Sequence, residues 1–306
     1  MRLFLAILLA GATLTGQQRY RSHITIYDMG TRQSKVVYSA DQVIEAPNWS
    51  HDGKFLIVNT GGNLYRLPVA GEAKLEQIDL GAGGYRCNND HDFTRDGKLL
   101  AFSASSAASR QSQVYLANGD GTGAKLMTPL APSYFHGWSP DSKWLAFVGQ
   151  REGKFTLLRV PAAGGEEQRL TSKGYDDGPE YSPNGKWIYF NSNRNGGWDI
   201  WRIPADGGGP DDAKAERVTN DDVEDWFPHF SPNGKLMLIF GFPHGTANHG
   251  EKMDGVVLRL MPAPGDKLKP ARPEELVKFF GGQGTINVNS WSPDSKKFAY
   301  VVYEKM

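Results

Sequence analysis

A five-residue turn phrase occurs six times in this chain, and no other feature limits the fold so strongly. The copies are Trp49-Ser50-His51-Asp52-Gly53, Phe93-Thr94-Arg95-Asp96-Gly97, Trp138-Ser139-Pro140-Asp141-Ser142, Tyr181-Ser182-Pro183-Asn184-Gly185, Phe230-Ser231-Pro232-Asn233-Gly234 and Trp291-Ser292-Pro293-Asp294-Ser295. Each is an aromatic residue, a hydroxyl residue, usually proline, then Asp or Asn, then Gly or Ser. The hydroxyl can bond back to the backbone, proline presets the first central φ, Asp or Asn tolerates the second, and glycine closes the turn. A short apolar run follows every copy, as in Phe55-Leu56-Ile57-Val58 and Trp187-Ile188-Tyr189-Phe190. Each copy therefore reads as strand, tight turn, strand.

The six aromatics are spaced 44, 45, 43, 49 and 61 residues apart. A period near 45 residues made of short strands is the signature of a four-stranded propeller blade. Third strands are expected at Asn63–Pro68, Gln113–Ala117, Phe155–Pro161, Asp199–Pro204 and Gly255–Pro262, and fourth strands near Arg169-Leu170-Thr171 and Arg217-Val218-Thr219. No amphipathic helical pattern separates the strands, which excludes a parallel α/β sheet. The sixth copy has room for two strands before the chain ends. Two strands at the N-terminus, His23–Asp28 and Lys35–Tyr38, have no turn phrase before them. The expected fold is all-β: one six-bladed propeller over residues 20–306, with four antiparallel strands per blade. Its ring is closed by N-terminal strands joining the C-terminal blade, which removes exposed sheet edges.

The phrase aromatic-Ser-Pro-Asp-Gly-Lys, an apolar strand, an Ile-Trp-Arg strand, Gly-Gly and Arg-Leu-Thr resembles the repeat of the TolB-like six-bladed propellers, with Tyr181–Thr219 the best copy. The resemblance covers nearly the whole chain after the leader. TolB has a further N-terminal domain, which this chain is expected to lack because its repeats begin near Tyr20. Related repeats occur in oligogalacturonate lyases and in the propeller domains of serine peptidases, so the repeat speaks for fold more than for function.

The 34 basic and 34 acidic residues balance, and there is no basic run. That argues against a nucleic-acid partner and against an electrostatic membrane anchor. Arg2, the apolar Leu3–Leu9 and the small Gly11-Ala12-Thr13 read as a secretory signal over residues 1–16, with cleavage after Ala12 or Gly16. The apolar run is too short to span a bilayer. The expected location is periplasmic or secreted, in a bacterium. Cys87 is the sole cysteine, so no intrachain disulfide can form. It reads as a packed thiol.

Chemistry is expected where the innermost strand of each blade lines the central channel. One position before the turn aromatic lie Asn48, Asp92, Gly137, Glu180, His229 and Ser290. Two before lie Pro47, His91, His136, Pro179, Pro228 and Asn289. Four before lie Glu45, Asn89, Tyr134, Asp177, Trp226 and Asn287. By strand alternation, one set should face the channel and its neighbour should pack between blades. Three readings fit. The channel is lined simply by solvated polar groups. Or it takes a sugar or peptide, with hydrogen bonds from Glu45, Glu180, Asp225, Asn287 and Asn289 and flat surfaces from Tyr134 and Trp226. Or His91, His136 and His229, joined by Glu180, hold a divalent metal or a catalytic centre. The resemblance to oligogalacturonate lyases, which use a His-coordinated metal inside a propeller, leans toward the third. The run Asn89-Asp90-His91-Asp92 can orient an imidazole or ligate a cation, or simply bond its own backbone, and Asp90 and Asp177 complete the candidate set.

Blade 5 carries the long excursion, in Phe242–Asp254 and in the Pro-rich Pro262–Pro273. The first stretch holds His244 and His249 and is expected to cap a channel mouth or meet a partner. Gly281-Gly282-Gln283-Gly284 allows close backbone approach, either to blade 1 or to a ligand. No G-x-S-x-G motif is present for a Ser-His-Asp hydrolase. The favoured expectation is an exported, monomeric binding or scaffold propeller that acts through its channel mouth and blade-5 loop on a protein partner or an oligosaccharide or peptide ligand. The alternative is a carbohydrate-active lyase or hydrolase with a His/carboxylate centre in the channel.

Overall fold

The computed structural model describes residues 18–269 and 272–306. The leader read over residues 1–16 lies outside the described residues. Blade 1 is built from Glu45–Trp49, Phe55–Thr60, Asn63–Pro68 and Glu76–Gln77, hydrogen-bonded in that order from the axis outward. Blades 2 to 5 repeat this antiparallel order with inner strands Arg86–Phe93, Ser133–Trp138, Asp176–Tyr181 and Glu224–Phe230. The expected third strands stand within two residues of their observed ends. Two short 3-10 turns, Pro210–Asp212 and Gln283–Thr285, are the only helical elements among the described residues.

Every turn phrase folds the same way. The carbonyl of the hydroxyl residue accepts from the N–H three residues on, at 2.9 Å for Ser50–Gly53 and 2.8 Å for Ser182–Gly185. The hydroxyl itself accepts from the N–H five residues on, at 3.1 Å for Phe55 to Ser50 and 3.0 Å for Trp187 to Ser182. It donates to the Asp or Asn of the turn, at 2.7 Å in Ser50–Asp52. One serine thus ties the turn to the next strand. The closing residue has positive φ in all six copies, from 57° at Ser142 to 72° at Gly53, which is why glycine is favoured there.

The apolar core is divided among the blade interfaces. Successive residues of a second strand face opposite neighbours, as period-2 alternation requires. Leu56 and Val58 pack with Ile24, Val301 and Tyr303 of blade 6, whereas Ile57, between them, packs with Phe93, Leu100 and Phe102 of blade 2. Leu145 and Phe147 face blade 2, and Ala146 and Val148 face Tyr181, Ile188 and Phe190 of blade 4. Among the described residues six such clusters fill the six interfaces.

Blade 6 is a composite, as expected. Lys297–Lys305 pairs antiparallel with Tyr20–Asp28, from Tyr20 opposite Lys305 to Asp28 opposite Lys297, and Gln33–Ala40 forms the outer edge. The innermost strand of this blade is reduced to a single bridge between Trp291 and Phe298. Its approach from Gly281 closes on blade 1: a side chain at position 284 would meet Glu45 Oε1 at 2.5 Å, so Gly284 serves backbone packing at the closure.

Deleting residues 20–40 should therefore leave the 297–305 strand unpaired and strip Ile24, which is fully buried, from the blade 6–blade 1 interface. The expected outcome is loss of soluble yield through edge-to-edge aggregation. The milder Ile24→Ala should fold with a loss of about 2–5 kcal/mol in urea unfolding. Wild-type behaviour of either variant would show that closure lies elsewhere.

Candidate functional site: a polar channel with two mouths

The inner strands do not alternate cleanly. In five of the six blades the inner strand carries a β-bulge shortly before its aromatic, seen between Glu45 and Asn48, Cys87 and His91, Phe135 and Gly137, Asp177 and Glu180, and Trp226 and His229. Ala46, Gly178 and Phe227 take positive φ there (52°, 61° and 48°). An extra residue re-aims the side chains on either side of it. Both sets therefore reach the channel, at opposite ends, in place of the single lining set that alternation implied.

At the turn end, Asn48, Asp92 and Glu180 line a mouth of about 430 Å³. All six turn aromatics, and the residue after each turn hydroxyl (His51, Arg95, Pro140, Pro183, Pro232 and Pro293), frame it. Three of the four rim prolines rest on the turn of a neighbouring blade: a Cβ on Gly185 would sit 3.8 Å from Pro140, one on Gly234 3.5 Å from Pro183, and one on Gly53 3.9 Å from Pro293. At the other end Asn89, Asp90, Tyr134, Asp177, Trp226 and Asn287 line a narrower mouth of about 260 Å³, and His136 lines both.

Between the mouths runs a belt of polar bonds that links every blade to the next. Asn48 Nδ2 donates to Asp92 Oδ1 (3.1 Å), and Trp138 Nε1 to the Asp92 carbonyl (3.2 Å). His136 Nε2 meets Asp177 Oδ1 at 3.1 Å. Glu180 accepts the Phe230 N–H (2.7 Å) and Asn289 Nδ2 (2.8 Å), and lies 2.7 Å from His229 Nδ1. Trp291 Nε1 donates to the His229 carbonyl (3.1 Å), and Asn48 Nδ2 closes the belt on the Asn289 carbonyl (2.6 Å). His229 Nε2 faces the Ile286 carbonyl at 3.1 Å. A carbonyl only accepts, so this nitrogen carries hydrogen and Nδ1 is the one that meets the carboxylate.

The belt shifts its titrating groups. Burial pushes Asp92 up to about 6, against the pull of His51 and the Asn48 bond. Burial likewise pushes Asp90 up to about 6, with the field of His136 opposing. Burial acts to lower His136, but its bond to Asp177 and the fields of Asp177 and Asp90 outweigh that, and it rises.

The remaining candidates lie elsewhere. His91 is fully buried between blades 1 and 2, in neither cavity, and burial pushes it down to about 4. Asp225 is buried within blade 5 against Arg259 Nη1 at 2.6 Å, and burial pushes it up to about 7. Glu45 pairs with Lys252 (3.5 Å) at the closure. His91, His136 and His229 therefore do not converge, and among the described residues no group of three or more His, Cys, Asp or Glu side chains is placed to hold a metal. Around Asn89-Asp90-His91-Asp92, the Asp90 N–H donates to Asn88 Oδ1 (3.2 Å) and the Phe93 N–H donates to Asp92 Oδ1 (2.7 Å). Cys87 is buried, and burial pushes its thiol up to about 12, far from a nucleophile's range.

Sequence reasoning missed two things. It passed over the rim residues His51 and Arg95, although their place in the phrase beside the prolines marks them. It also did not single out His249 within the blade-5 loop. His244 is exposed, but His249 stacks on Trp226 (4.8 Å) and meets Glu224 Oε2 at 2.5 Å, so the loop is pinned behind the narrow mouth.

Two outcomes follow. Glu180→Ala removes the acceptor shared by Phe230, Asn289 and His229, and should cost about 3 kcal/mol in urea unfolding. Glu180→Gln, which keeps one acceptor, should cost less; equal, near-zero losses would place Glu180 in open water. His91, neutral when folded, adds stability that is present above its unfolded pKa of about 6.5 and lost as pH falls toward 4. The stability difference between wild type and His91→Gln should shift by about 3 kcal/mol from pH 7 to pH 4. A pH-independent difference would contradict the buried neutral assignment.

Comparison with known proteins places this architecture. The model of the family described as the TolB beta propeller domain matches residues 130–259. The uncharacterized protein Atu1656 of Agrobacterium fabrum is 42% identical over 284 residues, 92% of each chain. The Tol-Pal system protein TolB of Francisella tularensis subsp. mediasiatica is 28% identical over 139 residues, which span 44% of this chain and 31% of that protein. A solved Agrobacterium tumefaciens structure, provisionally described as TolB, superposes with a TM-score of 0.85 at 40% identity, covering 95% of this chain and all of that one. TolB of Acinetobacter baumannii shares the fold, with a TM-score of 0.57 at 19% identity over 84% of this chain and 66% of that one. The chain belongs to the TolB-like β-propeller family.

Proposed function

We propose that this chain is an exported binding propeller that receives a segment of a protein partner at the wide mouth. The observation that carries the reading is the convergence of all six turn phrases on one opening, where aromatic faces and four prolines surround Asn48, Asp92 and Asn289. Prolines and aromatics give a stiff apolar rim that loses little entropy on binding. The carboxamides and carboxylates below it offer acceptors to the backbone N–H groups of an entering loop. Relatives named as Tol-Pal system proteins support a role within a protein assembly. Arg2 and the apolar Leu3–Leu9 support export, and among the described residues no helix is long and apolar enough to cross a membrane.

A photo-crosslinking amino acid at Pro232, exposed on the rim, tests this in cells of the native host. One dominant protein adduct is expected there and not from Val36, which is 52% exposed on the outer edge of blade 6. Arg95→Glu on the same rim should weaken that adduct several-fold without lowering the melting temperature. Equal labelling from Pro232 and Val36 would end the proposal.

A further inference from the structure

The narrow mouth is built for a different kind of ligand. An aromatic arc runs behind and along it: Tyr134 to Phe155 (6.4 Å between ring centres), Phe155 to Tyr175 (4.9 Å), Tyr175 to Trp198 (5.5 Å) and Trp198 to Trp226 (4.3 Å). Tyr175 lines the cavity yet is 40% exposed, so it has surface free to meet a ligand. Three buried side-chain atoms of the lining have no hydrogen-bond partner among the described residues: Asp90 Oδ2, His136 Nδ1 and Trp226 Nε1. Asp90 is 3% exposed and its other oxygen is taken by Asn287; the other nitrogen of His136 is taken by Asp177. Each such orphan costs about 1–3 kcal/mol if nothing answers it.

The chemistry of a suitable ligand follows. A hydroxyl both donates and accepts, so hydroxyls serve a carboxylate oxygen and an imidazole nitrogen whichever of them carries the proton. An ammonium cannot accept and a carboxylate cannot donate. No Lys or Arg lines this mouth, while Asp90 and Asp177 both do, so an anionic ligand finds no countercharge. A flat apolar ring beside clustered amides and carboxylates suits the C–H face of a pyranose. The cavity, at about 260 Å³, lies just below the roughly 300–1,000 Å³ of sites for larger ligands and has room for one sugar ring.

We propose that the narrow mouth binds a neutral sugar, one ring deep, which stacks on Tyr175 and directs adjacent hydroxyls to Asp90 Oδ2 and His136 Nδ1. This site is separate from the protein-binding rim at the other end and does not depend on it. The test is saturation-transfer NMR on the full chain with the methyl glycosides of glucose, galactose and mannose, with N-acetylglucosamine, and with galacturonate and putrescine as charged comparisons. At least one neutral sugar should receive saturation at its ring protons. Its affinity should fall at least five-fold in Tyr175→Ala, hold in Tyr175→Phe, and stay unchanged in Arg95→Glu at the opposite mouth. Three results would overturn the proposal. One is silence from every neutral member. Another is stronger binding of galacturonate or putrescine. The third is wild-type affinity in Tyr175→Ala, which would show that the sugar does not stack there.

Discussion

A single blade of this protein cannot exist alone, because both faces of its sheet are apolar. Leu56 and Val58 look one way and Ile57 the other, and all three are fully buried only because a blade stands on each side. A linear stack would leave two such faces bare at its ends. A ring leaves none. Everything else in the structure depends on the last interface being made. That interface rests on Tyr20–Asp28 joining Lys297–Lys305, with Ile24, Ile26, Val301 and Tyr303 buried against Ile44, Trp49 and Leu67 of blade 1.

The ring then imposes a polar problem at its axis. Six inner strands converge with amides, carboxylates and imidazoles crowded together, away from bulk water. The belt from Asn48 through Asp92, Trp138, Glu180, His229 and Asn289 is the answer, and each of its links joins residues of different blades. Glu180 shows how tightly it is drawn: one carboxylate serves a backbone N–H, an amide and an imidazole. Such a network is only as good as its least satisfied member. In the belt most polar groups have partners. Among the described residues, Asp90 Oδ2 and Trp226 Nε1 at the narrow mouth, Asn48 Oδ1 and Tyr181 Oη at the wide one, and His136 Nδ1 shared by both have none, so each mouth keeps polar atoms for water or a ligand to answer.

How much of this was legible in the residues depends on distance along the chain. The turn phrase, the strands beside it and the two-plus-two composite of blade 6 are local or counting matters, and they stand as read. Glycine at 284 was read as a close-approach residue, and it makes its approach to Glu45. The channel was only half legible. Asp92 and Glu180 fall in one set by position relative to the aromatic, and Asn289 in the set beside it. The bulges that turn Asp177 and Trp226 toward the opposite mouth leave no regular mark, since position 46 is Ala, 178 Gly and 227 Phe. His91 carries the same polar signature as His136 in sequence, yet it packs between blades with Phe102 as its cross-strand partner. Asp225 looks like a channel carboxylate until Arg259, 34 residues on, is seen to pair with it.

The turn phrase therefore has two roles, which one physical requirement unites. A Ser-Pro-Asp-Gly turn must be rigid to set the stagger between inner and second strands in every blade. Rigidity comes from the serine that bonds both turn and strand, from proline, and from a left-handed closing residue. Six identical rigid turns on a ring of near six-fold symmetry necessarily bring their second residues together around one opening. A rim of prolines is thus a consequence of folding before it is a binding surface. Where the phrase departs from proline, at His51 and Arg95 in adjacent blades 1 and 2, the rim gains the features that its geometry does not require. Those two residues carry chemistry that the turn could have done without, and they lie on one side of the opening, which gives an otherwise symmetric mouth a direction.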